Sequence, residues 1–183
     1  MTFIETWSGE VLWPLRPTPD PIRIEDIAHG LSNKCRYNGQ CLFYSVAEHS
    51  VHMADWCLQN KFRGSRHALH ALLHDAAEAY LPDVTSPIKP MFPGFKGCED
   101  RLLDSVYVSL GINPPSPDVS KLVKSIDSRI ILNERAAVLP NHRSDVHWGP
   151  TEDLEPLSGV YIYRWPPDEA YDNFMNIFLE LTK

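Results

Sequence analysis

The adjacent pair His74-Asp75 sits inside the run ALHALLHDAAEAYLPDVTSP. From Ala68 to Tyr80 the run is rich in strong helix formers, and Leu69, Leu72, Leu73 and Ala76 recur at helical spacing. It predicts one helix with an apolar face, ending near Leu81-Pro82. An imidazole and a carboxylate then stand side by side on that face, with Glu78 one turn further on. Burying an unpaired carboxylate costs several kcal/mol, so Asp75 needs a cation or a strong donor. A divalent metal satisfies both residues at once, because imidazole and carboxylate between them suit first-row transition metals and Mg²⁺. The chemistry this combination supports is metal-assisted hydrolysis.

Two other segments carry matching residues. Tyr44-Ser-Val-Ala-Glu-His49-Ser opens a second helix, which runs on through Val51, Met53, Ala54 and Trp56. Val123-Lys-Ser-Ile-Asp127-Ser-Arg-Ile lies in a third, with Asp127 among Ile126, Ile130 and Ile131. Taken singly, each residue is ordinary. A His at a helix start is more often a hydrogen-bonded structural residue, and an Asp among isoleucines more often marks a helix end or an exposed edge. The order His, His-Asp, Asp on three apolar helices favours convergence on one metal inside a helical bundle.

That order, His49, His74-Asp75, Asp127, resembles the metal-binding signature of HD-domain phosphohydrolases. The flanking residues are similar to a small branch of that superfamily, the bacterial 5'-deoxynucleotidases and phage dATP triphosphohydrolases, over roughly residues 20 to 140. The matching stretches are Ile24-Glu-Asp-Ile-Ala-His-Gly-Leu-Ser-Asn33, Cys35-Arg36-Tyr37-Asn-Gly, Tyr44-Ser-Val-Ala-Glu-His49-Ser and His74-Asp-Ala-Ala-Glu78-Ala-Tyr-Leu-Pro-Asp83-Val-Thr-Ser-Pro87-Ile-Lys89. The last is the most specific, since it extends well beyond the two ligands. The match departs from the monophosphatase pattern at Tyr37, where those enzymes carry Trp.

The resemblance implies a mainly α fold, an HD-domain helical bundle with short N-terminal and C-terminal β segments. It implies His49, His74, Asp75 and Asp127 as ligands of a divalent metal (Co, Zn, Mn or Mg), and Glu78 as the catalytic base. Arg36, Tyr37, Asp83, Lys89 and Lys124 become the expected substrate contacts. Arg suits bidentate oxygen contacts, Lys acts as a point charge, and a carboxylate just past a helix end can meet a ribose hydroxyl. The expected reaction is hydrolysis of deoxynucleoside phosphates. The leading case is dATP to deoxyadenosine and triphosphate, and the alternative is 5'-nucleotidase action on deoxynucleoside monophosphates. A metal- and nucleotide-binding regulatory module without turnover has no need of a carboxylate at position 78. The resemblance also implies a homo-oligomer.

Composition narrows the other possibilities. A chain of 183 residues is long enough for one domain with a proper core, here expected over 1–183 with the metal core at about 24–140. The formal net charge of −7 comes with no Lys/Arg cluster, which argues against polynucleotide binding more than against a small phosphorylated substrate. MTFIETWSGE lacks a basic region followed by an apolar block, and no apolar run is long enough to span a bilayer. No signal peptide or membrane association is expected, and a cytoplasmic location is. The four cysteines (35, 41, 57, 98) show no spacing of a zinc ribbon or disulfide framework.

The elements that must position these residues follow from periodicity and breakers. Phe3–Trp7 and Val11–Trp13 predict short strands around Ser8-Gly9, and Ile24–Leu31 a short helix. Helices are expected from Val46 to about Asn60, over 95–110, from Val119 to about Leu139 and from Pro167 to Leu181, with a possible strand at Gly159–Tyr163. His67 and His70 share a face with His74 and are expected toward solvent or supporting the site. His52 is expected to support the site or to lie at the surface. Trp7, Trp13, Trp56, Trp148 and Trp165 read as core or rim aromatics. No phosphate-cradling glycine loop, nucleophile elbow or dinucleotide fingerprint is present.

Overall fold

The computed structural model describes residues 2–60, 65–85, 87–143, 145–146, 151 and 153–183, so Trp148 lies outside the described residues. The chain is mainly helical. Among the described residues it has six α-helices: α1 Ile24–Ser32, α2 Val46–Gln59, α3 Ser65–Leu73, α4 Phe95–Ser109, α5 Pro117–Val138 and α6 Pro167–Leu181. Its one small sheet pairs β1 Ile4–Glu5 antiparallel with β2 Val11–Leu12, with Ile4 opposite Leu12. No helix among the described residues is long and apolar enough to cross a membrane.

Local chemistry explains the boundaries. Ser45 caps α2, its hydroxyl accepting from the Glu48 N–H at 3.1 Å. α5 and α6 each start with a proline, whose missing N–H and fixed φ suit the first turn. Asp26, buried in the first turn of α1, accepts from the N–H and hydroxyl of Ser8 at 2.7 and 2.8 Å, which ties the hairpin turn to the bundle.

α2 and α3 pack side by side, α5 lies against both, and α6 closes over α1, α2 and α3. The apolar stripes meet in one core that includes Leu31, Met53, Leu72, Leu73, Leu102, Ile126, Ile130 and Phe174. Trp56 belongs to it, whereas Trp7 and Trp13 are exposed.

Two expectations are corrected. The helix predicted over 68–80 stops at Leu73, turns through His74-Asp75, and resumes as a 3₁₀ segment at Ala76–Ala79. The reason is local: Nδ1 of His74 donates to the carbonyl of Ala71 at 2.8 Å, the acceptor a continuing helix would offer to Asp75. The second correction is the C-terminal β segment. Residues 159–163 form no strand, and where they end the chain turns its N–H groups onto a carboxylate. The N–H groups of Tyr163 and Arg164 point at Oε1 of Glu48 (2.8 and 2.7 Å) and that of Trp165 at Oε2 (2.8 Å). Successive N–H groups wrapped round an anion form a nest, and Arg164 takes a φ of 60° to complete it.

Candidate metal centre

His49 sits in the second turn of α2, fully buried, and the break after α3 swings His74 and Asp75 toward it. Asp127 arrives from α5, whose apolar face of Val123, Ile126 and Ile130 keeps the helix pressed against the others. Nε2 of His49 lies 3.3 Å from Nε2 of His74 and 3.6 Å from Oδ1 of Asp127. Oδ2 of Asp75 is 3.2 Å from Nε2 of His74 and 3.9 Å from Nε2 of His49. One ligand atom each from His49, His74 and Asp127 fall within 4.8 Å of one another.

The donor set fits a cation. Nδ1 of His49 faces Oε1 of Glu134 at 2.5 Å, and Nδ1 of His74 is committed to Ala71. Both imidazoles in their neutral forms therefore aim bare Nε2 lone pairs at each other and at two carboxylates. Four acceptors converge with no hydrogen among them, an arrangement that needs positive charge at its middle. Ligands sharing one metal at bonds of about 2.1 Å stand roughly 3.0–3.4 Å apart, close to the separations found. Asp75 and Glu134 share the buried Arg36, while Asp127 is met by the exposed Lys124.

Without a metal, protons fill the gap. Burial alone would lower the pKa of His74, but Asp75 and Asp127 outweigh it and hold the ring at about 9. Asp75 is held well below the usual carboxylate range: burial opposes this, and His74, His49 and Arg36 overcome it. Asp127 moves the same way for the same reason, with the two imidazoles as the cause. His49 is lowered, by burial first and by Arg36 second.

Behind this cluster stands Glu134, a residue that motif matching did not single out. Its side chain is fully buried on α5. It accepts from His49 and from the Tyr37 hydroxyl, and it pairs with Arg36 at 3.2 Å. Arg36 reaches the other way to Asp75 at 3.7 Å, so one guanidinium bridges the ligand cluster and its support. The signal was in the sequence. Val119, Val123, Ile126, Ile130 and Val138 define the apolar stripe of α5, and Glu134 falls on it, seven residues after Asp127.

His74, Asp75 and Asp127 open on a cleft of about 350 Å³, into whose walls Glu78, Lys89, Lys96 and Lys124 also enter. Burial, with Asp75 and then Asp83 adding repulsion, pushes the Glu78 carboxyl up to about 8. Each cleft lysine has a carboxylate partner: Lys89 with Glu99 (3.1 Å), Lys96 with Asp100 (2.9 Å), Lys124 with Asp127 (2.8 Å). Tyr37 and Asp83 are not among the lining residues; Tyr37 faces Glu134, and Asp83 acts on Glu78 and Lys34 through its charge. Lys34 donates to the carbonyls of Glu78 and Leu81, fixing the segment that carries Glu78. His70 is not toward solvent. It is buried against Tyr107 and lines the cleft. His52 is buried too, on Glu48 at 3.2 Å.

The fold and the cluster define a mainly helical protein with a His/Asp cluster that could hold a metal ion. No protein-family model matches the chain. The uncharacterized protein YfdR of Escherichia coli (strain K12) is 32% identical over 184 residues, covering 100% of this chain and 97% of its own. The uncharacterized protein RCAP_rcc00048 of Rhodobacter capsulatus is 41% identical over 172 residues, covering 89% of this chain and 87% of its own. The chain belongs to the family of these two proteins.

Proposed function

We propose that this chain is a metal-dependent phosphohydrolase of the HD-domain type, acting on deoxynucleoside phosphates, with dATP hydrolysis to deoxyadenosine and triphosphate as the leading reaction. One observation carries the reading. Ligand-type atoms of His49, His74, Asp75 and Asp127 stand 3.2–3.9 Å from their neighbours in the cluster, with His74, Asp75 and Asp127 opening on a cleft sized for a small molecule. A bound divalent cation would lower the pKa of a water and polarise a phosphoryl oxygen. The chain's own part is to take and give the proton. Glu78, with its carboxyl near 8, changes protonation close to neutral pH, the range in which a general base works best. Lys89, Lys96 and Lys124 line the path a phosphate chain would take, and Arg36 holds Asp75 in place.

The charge of the cleft favours a second reading, 5'-nucleotidase action on deoxynucleoside monophosphates. Its three lysines are outnumbered by Asp75, Glu78, Glu99, Asp100 and Asp127, which suits a short phosphate better than a triphosphate.

The test is a panel of dNTPs and dNMPs with chromatographic product analysis, before and after dialysis against a chelator. Chelation abolishes turnover, and Co²⁺, Mn²⁺, Zn²⁺ or Mg²⁺ restores it to different degrees. Deoxyadenosine with intact triphosphate supports the leading reaction, and hydrolysis of dNMPs alone supports the second. Full activity of a metal-free preparation overturns both.

A further inference from the structure

Two thiols unrelated to the metal ligands have been brought together by an unusual turn. Cys35 and Cys41 are both free and half-buried, with their sulfurs 3.7 Å apart. Between them Tyr37, Asn38 and Gly39 take φ values of 56°, 51° and 72°, three left-handed residues in succession. Such a run is costly for the two non-glycine residues and folds the chain back on itself. The turn is closed by Gly39 N–H to the Arg36 carbonyl (3.1 Å) and Gln40 N–H to the Tyr37 carbonyl (2.9 Å).

Both arms of the turn are anchored. Cys35 forms an antiparallel bridge with Ser45, and the Arg36 N–H donates to the Tyr44 carbonyl at 2.9 Å. On the far side the Leu42 N–H donates to the Val138 carbonyl at 2.9 Å, at the end of α5. The sulfurs therefore need to close by only about 1.7 Å to reach bonding distance. The other two thiols lack this geometry: Cys57 is buried in α2, and Cys98 takes a contact from Arg101 at 3.2 Å.

We propose that Cys35 and Cys41 are a reversible redox pair, whose disulfide locks the turn that presents Arg36 and Tyr37 to Glu134. The oxidant is hydrogen peroxide. The Cys35 thiolate attacks one peroxide oxygen, the O–O bond breaks, and a sulfenic acid and one water result once protons are counted. Cys41 then attacks that sulfur, the S–S bond forms, and the sulfenic oxygen leaves as a second water. Two thiols have given up two electrons and two protons to one peroxide. Burial and the neighbouring Cys35 push the Cys41 thiol up to about 12, so it serves as the resolving thiol and its step accelerates with pH. The lock matters because Tyr37 and Arg36 both bear on Glu134, which in turn holds His49.

The experiment treats the full chain with a few equivalents of hydrogen peroxide, blocks remaining thiols, and digests the denatured protein with trypsin without reductant. Cleavage after Lys34 and Arg36 releases the dipeptide Cys35-Arg36 disulfide-linked to the peptide that begins at Tyr37. That peptide also contains Cys57, so the link must persist in Cys57→Ser and vanish in Cys41→Ser. Dithiothreitol reverses it. The oxidised wild type melts higher by roughly 4 °C, a shift absent from Cys35→Ser and Cys41→Ser. Both thiols staying alkylatable after peroxide, a link that survives Cys41→Ser, or an unchanged melting temperature overturns the proposal. None of these readouts depends on metal or turnover, so the hydrolase reading stands or falls separately.

Discussion

Nδ1 of His49 lies 2.5 Å from Oε1 of Glu134, and neither side chain meets solvent. An ionised carboxylate accepts only, so the ring must carry its proton on Nδ1 and leave Nε2 free for a metal. Partners of this kind fix the tautomer and raise the basicity of a ligand imidazole. Glu134 stays ionised because Arg36, then His49 and Tyr37, overcome the burial that would otherwise protonate it.

Glu134→Ala leaves the Arg36 cation and the His49 ring buried without their acceptor. Loss of one partner from a buried ion pair costs about 3–5 kcal/mol, measurable by urea unfolding. Glu134→Gln keeps an acceptor for His49 and loses less. In both variants metal affinity falls by about 10–100-fold, and titration with Co²⁺ followed by its absorption spectrum reads it. Unchanged affinity in Glu134→Ala would show that His49 needs no orienting partner.

Binding of a metal at this site should release a proton. With His74 at about 9 in the metal-free protein, the ring is charged at neutral pH and must lose that proton to become a ligand. Apparent affinity should therefore rise about tenfold per pH unit up to about 9 and level off above it. Calorimetry in buffers of different ionisation enthalpy should count close to one proton released at pH 7. A pH-independent affinity contradicts this.

Glu78→Gln should lower kcat by about 10²–10⁴-fold while metal content is retained. The same change has a stability signature. Because the folded-state pKa of Glu78 is raised to about 8, its stabilising contribution is complete below the unfolded value and is lost as pH climbs toward 8. Metal-free Glu78→Gln should thus be more stable than the parent at pH 8 and no different near pH 4. Identical melting curves at pH 8 would mean that the carboxylate is not strained there.

Gly30 on α1 faces the 3₁₀ segment that carries Glu78. A Cβ at position 30 would stand 3.0 Å from the Cα, Cβ and carbonyl oxygen of Ala79, and backbone yields little. Gly30→Ala gains about 1 kcal/mol in helix propensity and loses about 1–3 kcal/mol to overpacking. The second effect wins. The melting temperature falls and kcat falls with it, whereas metal content is unchanged, since Gly30 packs against no ligand.

Helices α1, α2, α4, α5 and α6 were legible because apolar periodicity, prolines and caps agree along each of them. The one misread helix is informative. Ala68 to Tyr80 has helical propensity throughout, but the His74 side chain competes for the Ala71 carbonyl, and propensity tables hold no entry for that competition. The candidate ligands were legible through their order and matched flanks; His49, His74 and Asp127 form the group that could hold a metal, and Asp75 stands beside the two histidines. Glu134 was readable as an acidic residue on an apolar stripe. The turn of residues 163–165 onto Glu48 was not, because its partner lies more than a hundred residues away.

The nest around Glu48 fastens the tail of the chain to the helix that carries His49. Glu48 precedes His49 on α2, and its buried carboxylate receives the N–H groups of Tyr163, Arg164 and Trp165. His52 Nε2 also stands 3.2 Å from this carboxylate, so Glu48 is held both from within α2 and from residues more than a hundred positions later. A chain cut before residue 163 would keep His49, His74, Asp75 and Asp127 and lose all three of those N–H groups. The tail therefore bears on the helical turn that carries His49.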